Sequence, residues 1–269
     1  MTRIALLGAG KMGEALLTGL VKSGQPSEGL CFTERSDERA RQVAERHGVR
    51  RLEVPEAVRR SDVLVVAVKP HDAADLLAEL RPEVGAGVLV VSLCAGLPTE
   101  FFERRLPEGT AVVRVMPNTP MLVGEAMSVI SAGRWATDRH LDQVTAVLAS
   151  VGRVARVPES QQDAVTAVSG SGPAYFYYLA EAMADAGVLL GLPRPLAAEL
   201  AAQTALGAAR MLTETGDHPV VLREAVTSPG GTTAVAVHEL DRHAVKAAIT
   251  SAIEKCRDRS VELGRSHAE

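Results

Sequence analysis

The sequence predicts an α/β protein in two parts, the first built on a mostly parallel sheet and the second entirely helical. Three observations carry this. Residues 1–157 alternate short β-branched or apolar runs with amphipathic stretches rich in Ala, Leu, Glu and Arg, the pattern of repeated βαβ units. After Pro158 that alternation stops, and residues to 269 are rich in the strong helix formers Ala, Leu, Glu and Met. Near the N-terminus, RIALLGAGKMGEALLTGL joins an apolar run to a helical one through Gly8, Gly10 and Gly13 in G-x-G-x-x-G spacing.

In chain order, strands are predicted at 3–7, 30–34, 63–67, 88–92, 111–115, 126–131 and 153–157. Helices are predicted at 11–23, 37–47, 71–81, 98–105 and 137–150, the first, fourth and fifth following turn-forming residues. The domain boundary falls at 157/158. Beyond it, 196–212 and 244–263 carry small residues where helices can approach closely, and apolar stripes too broad for a lone surface helix. Several helices burying one another are expected, within one chain or across a subunit interface.

Bulk properties narrow the function. A net charge of -4 gives no general attraction to nucleic acid or to anionic membranes, and no Lys/Arg block overrides it. The three cysteines, Cys31, Cys94 and Cys256, are far apart and lack metal-ligand spacing, so neither a disulfide framework nor a metal site is expected. The opening MTRIALLGAGKMGEALL has too short an apolar run for a signal core, and no run approaches the roughly 18 residues of a membrane helix. A soluble, cytoplasmic protein is expected.

The glycine segment follows a strand and opens a helix, the context in which this spacing binds a dinucleotide. One glycine makes the tight turn, one lets pyrophosphate approach the backbone, and one lets helix and strand pack closely. The helix N-terminus adds N–H groups and partial positive charge. Gly8, Ala9, Gly10, Lys11, Met12 and Gly13 are therefore expected at the cofactor. At the tip of the second strand, Glu34 favours a free ribose 2′-hydroxyl and hence NADH. Arg35 and Ser36 favour a 2′-phosphate and hence NADPH, unless they serve only the loop and the helix cap. NADPH is the expected cofactor, with NADH as the alternative.

Later strand ends add to the site. Val68, Lys69 and Pro70 close the third predicted strand, at the carboxyl edge where open α/β sheets bind ligands; His71 beside them reads as a helix-start residue rather than an acid. Ala95 and Gly96 are small enough for a nicotinamide to approach, whereas Cys94 reads as a small apolar residue rather than a nucleophile. In MPNTP, the Asn118 amide either contacts the cofactor or caps the turn.

Two motifs mark the helical part. AVSGSGPAYFYYLAEAM delivers a Gly/Ser run onto a helix, with Pro173 at its first turn. Its three tyrosines, Tyr175, Tyr177 and Tyr178, read as core or interface residues, and Ser171 as a substrate contact or an N-cap. REAVTSPGGTTAVAVHELD sets Ser228 before a proline, turns at Pro229-Gly230-Gly231, and opens a helix at Thr232-Thr233. Such a helix N-terminus, lined by Ser228, Thr232 and Thr233 hydroxyls, suits a carboxylate.

Taken together, GAGKMGEAL, AVKPHD, MPNTP, SGSGPAY and TSPGGTT resemble the pyrroline-5-carboxylate reductases in order and approximate spacing, over nearly the whole chain. The resemblance implies a Rossmann domain joined to a helical dimerisation domain, with active sites shared between subunits of a homodimer, often within larger rings. It implies substrate binding in the Ser228 to Thr233 loop, by Ser228, Gly230, Gly231, Thr232 and Thr233, with the Thr233 hydroxyl at the imine nitrogen as the catalytic contact. The implied reaction is hydride transfer from NADPH to (S)-1-pyrroline-5-carboxylate, giving L-proline. A protonated imine is already a strong electrophile, which fits the lack of a His/Asp or paired-carboxylate constellation.

Two rival readings are weaker. A β-hydroxyacid dehydrogenase would want a relay lysine in the helical part, but Lys246 and Lys255 are the only lysines after Lys69 and neither lies beside a Gly/Ser loop. A nucleotide-sensing protein without catalysis shares the fold, but has no need of the TSPGGTT loop.

Overall fold

The computed structural model describes residues 2–268. Contacts divide the chain into two compact units: one runs through Gly170 and resumes at Cys256, the other is Ser171–Lys255.

The first unit is built on an eight-stranded sheet. Its strands are β1 (Ile4–Leu7), β2 (Leu30–Thr33), β3 (Arg50–Arg51), β4 (Val63–Val66), β5 (Leu89–Ser92), β6 (Ala111–Met116), β7 (Ala126–Ala132) and β8 (Gly152–Arg156). They lie in the order β3-β2-β1-β4-β5-β6-β7-β8. All neighbours are parallel except β6 and β7. The connection 117–125 explains the exception, because a parallel crossover needs about a dozen residues or more and usually a helix. The mostly parallel sheet is thus as the sequence predicts.

Helices α1 (Lys11–Lys22), α2 (Asp37–His47), α3 (Val54–Arg59), α4 (Ala73–Leu80), α5 (Thr99–Glu103) and α6 (Asp138–Leu148) belong to this unit. Strands β1, β2, β4 and β5 are buried along their whole length, which is why they read as unbroken apolar runs rather than alternating ones. Their alternate side chains feed two cores. Leu6, Phe32 and Val65 join Leu16, Leu17, Val144 and Leu148 in one. Leu7, Leu64 and Val66 join Leu77, Leu80 and Phe102 in the other. Two elements lie outside the sequence expectations. β3 is two arginines with no alternation to detect, and α3 is six residues with proline in its first turn.

Beyond β8, α7 (Gln162–Val165) runs into a π-helical turn, Thr166–Gly170, the last element before the second unit. Helices α8 (Gly172–Leu189), α9 (Arg194–Glu214), α10 (Pro219–Ala225), α11 (Thr232–Arg242) and α12 (Val245–Ala268) follow. The end of α12 returns to the first unit, where the Ser260 hydroxyl donates to Asp163 Oδ1 at 2.6 Å. No helix among the described residues is long and apolar enough to cross a membrane.

Within the second unit α8 packs on α9 through small residues. A Cβ on Gly187 would lie 3.0 Å from the Ala197 Cβ, and the buried cluster is only Ala184, Ala197 and Ala201. Large apolar side chains meanwhile face outward, among them Tyr178 at 75% exposure, Leu189 at 88% and Leu190 at 86%. Three alanines are a small core for five helices, and so broad an apolar surface marks an association face. Light scattering at micromolar concentration should therefore give a mass of at least two chains; a single-chain mass would show that these faces stay in water.

Candidate functional site

The site starts from one turn. After β1, Gly8 adopts φ +103°, and its N–H donates to the Thr33 carbonyl at 3.2 Å. A Cβ on Gly8 would lie 2.9 Å from Val68 Cγ1, and one on Gly13 only 2.1 Å from the Gly8 carbonyl oxygen. Both glycines are thus required by close packing, one of strand end against strand end and the other of helix against turn. Gly10 caps α1, and nothing lies within 4 Å of where its Cβ would be, which leaves its backbone open to a ligand. Strand order reverses between β1 and β4, and the turn sits at that switch, where doubly wound sheets form their crevice.

A cleft of about 860 Å³ opens there. Gly8, Gly10, Lys11, Met12, Glu34, Arg35, Val68, Lys69, Pro70 and Ala95, all expected at the cofactor, line it together. Five other expected residues lie outside the lining. Ala9 and Gly13 are buried beneath the turn. Ser36 caps α2, its hydroxyl accepting from Arg39 N–H at 3.3 Å. Gly96 makes the turn after β5 at φ +78°. The Asn118 amide ties backbone to backbone, its Nδ2 donating to the Ser169 carbonyl at 3.0 Å and its Oδ1 accepting from Met127 N–H at 2.9 Å.

At the tip of β2, Glu34 folds back to accept the Ser36 N–H at 3.1 Å. Arg35 Nη1 reaches Asp72 Oδ1 at 2.8 Å. The same end of the cleft is lined by Arg51, Leu52, Glu53 and Val54, which no sequence signal marked. Arg51 Nη1 donates to Asp37 Oδ1 at 2.5 Å, while its Nε is buried without a hydrogen-bond partner. Such an orphaned donor costs about 1–3 kcal/mol. Two guanidinium groups lining one cleft fit an anionic ligand.

The tempting nucleophile and acid fall away. Cys94 is buried, its thiol donates to the Val68 carbonyl at 3.4 Å, and desolvation pushes its pKa up to about 11. His71 is 77% exposed, 3.5 Å from Asp72 and outside the cleft lining. Among the described residues no group of three or more His, Cys, Asp or Glu is placed to hold a metal.

Under the turn, Glu14 anchors α1 to α2. It is nearly buried, pairs with Arg39, and accepts from Arg46 Nη1 at 2.7 Å and from His47 Nε2 at 3.3 Å. Burial alone raises its pKa, but the His47 hydrogen bond and the charges of Arg39 and Arg46 outweigh it and hold the carboxyl below its ordinary value.

In the second unit, Ser171 occupies the N-cap position of α8 and makes no capping hydrogen bond. The 228–233 loop closes a tight turn, Gly231 N–H donating to the Ser228 carbonyl at 3.0 Å with Gly230 at φ +68°. A Cβ on Gly231 would lie 2.3 Å from Ser228 Oγ, so the Ser228 hydroxyl folds over this glycine. The Gly231 N–H is taken by this turn. The N–H groups of the first turn of α11 have no side-chain cap. Thr232 is exposed and Thr233 half-buried.

Fold, glycine turn and switch-point cleft define a dinucleotide-binding protein of the Rossmann class. Residues 159–263 match the family model for pyrroline-5-carboxylate reductase dimerisation, and residues 3–96 match one described as NADP oxidoreductase, coenzyme F420-dependent. The chain is 42% identical to the pyrroline-5-carboxylate reductase of Mycobacterium tuberculosis, over 98% of this chain and 97% of that protein. Its structure is similar to the pyrroline-5-carboxylate reductase of Coxiella burnetii (TM-score 0.94, 34% identity, 97% of this chain and 98% of that one). It is also similar to the Plasmodium falciparum pyrroline carboxylate reductase solved with NADP bound (TM-score 0.86, 30% identity, 98% of each chain). The chain belongs to the pyrroline-5-carboxylate reductase family.

The electrostatics under the turn give a testable consequence. Because the folded-state pKa of Glu14 is depressed, its stabilisation is complete above the ordinary carboxyl value of about 4.3 and is lost as pH falls through the folded value. Glu14→Gln should cost about 1–3 kcal/mol at neutral pH, and the gap to wild type should shrink as pH drops below about 4. Denaturant unfolding at stepped pH measures both; a gap that is constant with pH would mean that packing, not charge, is Glu14's contribution.

Proposed function

We propose that this chain reduces (S)-1-pyrroline-5-carboxylate to L-proline with NADPH, the last step of proline biosynthesis, with NADH as the alternative donor. What carries the reading is the presence of the switch-point cleft and the tight 228–233 loop in one chain of this family. NADPH is favoured by the NADP oxidoreductase match, by NADP in the Plasmodium relative, and by Arg35 in the cleft.

Functionally the chain divides at 157/158, into a cofactor domain and a substrate and dimerisation domain. Gly8, Ala9, Gly10, Lys11, Met12 and Gly13 bind or shape the pyrophosphate site, and Glu34, Arg35 and Ser36 the adenosine ribose end. Val68, Lys69, Pro70, Ala95, Gly96 and Asn118 form the nicotinamide end. When bound, the cofactor supplies a hydride from its nicotinamide C4 to ring C5 of the imine. Ser171, Ser228, Gly230, Gly231 and Thr232 hold the substrate, with the first N–H groups of α11 facing its carboxylate. Thr233 is the catalytic contact, its hydroxyl hydrogen-bonding the ring nitrogen, with water as the ultimate proton source. The assembly is a homodimer through the helical domain, often within a larger ring, in support of which stand the dimerisation match and the exposed apolar faces. We place it in the cytoplasm, where the buried, unpaired thiols of Cys31 and Cys94 are at home.

Purified protein should oxidise NADPH in a manner dependent on pyrroline-5-carboxylate, and absence of turnover with either nicotinamide cofactor would refute the assignment. Thr233→Val removes a hydroxyl while nearly preserving shape. It should lose on the order of 1–3 kcal/mol of transition-state stabilisation, roughly tenfold to a hundredfold in rate. The loss should fall on kcat if the bond strengthens in the transition state, and on KM if it is equally strong in the ground state. NADPH affinity, measured directly, should barely change. Wild-type turnover and substrate affinity in the variant would leave Thr233 a helix residue only.

A further inference from the structure

The geometry points to Arg51 as a determinant of cofactor choice: its guanidinium, together with that of Arg35, takes the 2′-phosphate of NADPH, and Asp37 and Asp72 hold the two arginines until the phosphate arrives. This inference rests on the NADPH-dependent reading above.

Arg51 ends β3, in register with Phe32 of β2, and so emerges beside the strand tip that carries Glu34 and Arg35. Both arginines line the same cleft. Each is held by one aspartate, Arg35 by Asp72 at 2.8 Å and Arg51 by Asp37 at 2.5 Å, with Glu53 at 3.9 Å from Arg51. A guanidinium has five N–H donors in a fixed fork, and this one keeps a buried Nε–H with no acceptor, so its local carboxylates do not saturate it. A phosphate offers three strong acceptor oxygens and close to two negative charges, the partner that fork geometry matches best. Asp37 is 79% exposed, and a carboxylate so close to water holds its partner weakly and is readily rehydrated on release. Glu34 would repel a phosphate, but its carboxylate is folded back onto the Ser36 N–H. A ribose 2′-hydroxyl has no charge to displace either aspartate, so NADH gains nothing from the pair.

Direct binding titrations separate the possibilities, with NADPH, NADH, adenosine 2′,5′-bisphosphate and AMP as probes and no substrate present. Wild type should bind NADPH over NADH, and the bisphosphate over AMP. Arg51→Gln should weaken both 2′-phosphorylated probes roughly tenfold, the scale of one charge-assisted hydrogen bond, while NADH and AMP affinities hold. Arg51→Lys, which keeps the charge but loses the fork, should fall between. Asp37→Asn should tighten the 2′-phosphorylated probes alone, a gain that no folding defect can imitate. The inference is overturned if Arg51→Gln keeps the wild-type preference, if it weakens all four probes alike, or if Asp37→Asn leaves the preference unmoved. Imine-dependent turnover with either cofactor in a protein showing such a result would leave the reductase reading standing. Preference for the bisphosphate without any imine-dependent turnover would sink that reading and keep Arg51.

Discussion

The first unit hangs on the contact between Gly13 and the Gly8 carbonyl, an approach so close that a single Cβ would end it. It sets the N-terminus of α1 against the end of β1 and beside Ala67 and Val68. From this follow the cleft at the β1/β4 switch and the exposure of the Gly10 backbone to it. The ion cluster around Glu14 is placed by the same contact, because α1 carries Glu14 one residue after Gly13 and presents it to Arg39, Arg46 and His47 of α2. Cofactor geometry and helix packing are therefore one constraint, and a substitution in the turn acts on both.

The two units solve burial in different ways. The first has strands buried on both faces and a core on each side of its sheet. The second has three buried alanines and a surface of Phe, Tyr, Leu and Met. Its small residues bring α8 and α9 close, which turns the larger side chains outward. The fold thus places association and the 228–233 loop in the unit that depends most on partners.

What the sequence made legible follows from where the physics is local. Buried parallel strands leave continuous apolar runs, so β1, β2, β4 and β5 could be read directly, and the steric need at Gly8 and Gly13 leaves a spacing that strand and helix context makes specific. Gly230 is legible for another reason, the left-handed φ of +68° that the turn requires. What stayed hidden depends on partners far along the chain. β3 is a strand only because Cys31 and Phe32 pair with Arg50 and Arg51. Arg51 reaches the cleft through that pairing and not through any local motif. The Asn118 amide is held by Ser169, 51 residues along the chain, a partner that no local motif marks. The antiparallel direction of β7 follows from the shortness of 117–125, which has no room for a crossover helix.

The short β3 has a further consequence. It is one of the two outer strands of the sheet, where unpaired N–H and C=O groups invite another chain to add a strand. Here that margin is two residues long and both are cationic, so an incoming chain finds little ladder to extend and a like charge wherever its own copy approaches. At Arg51 the phosphate contact proposed above and the guarding of the sheet margin fall on one residue, so replacing it would disturb both.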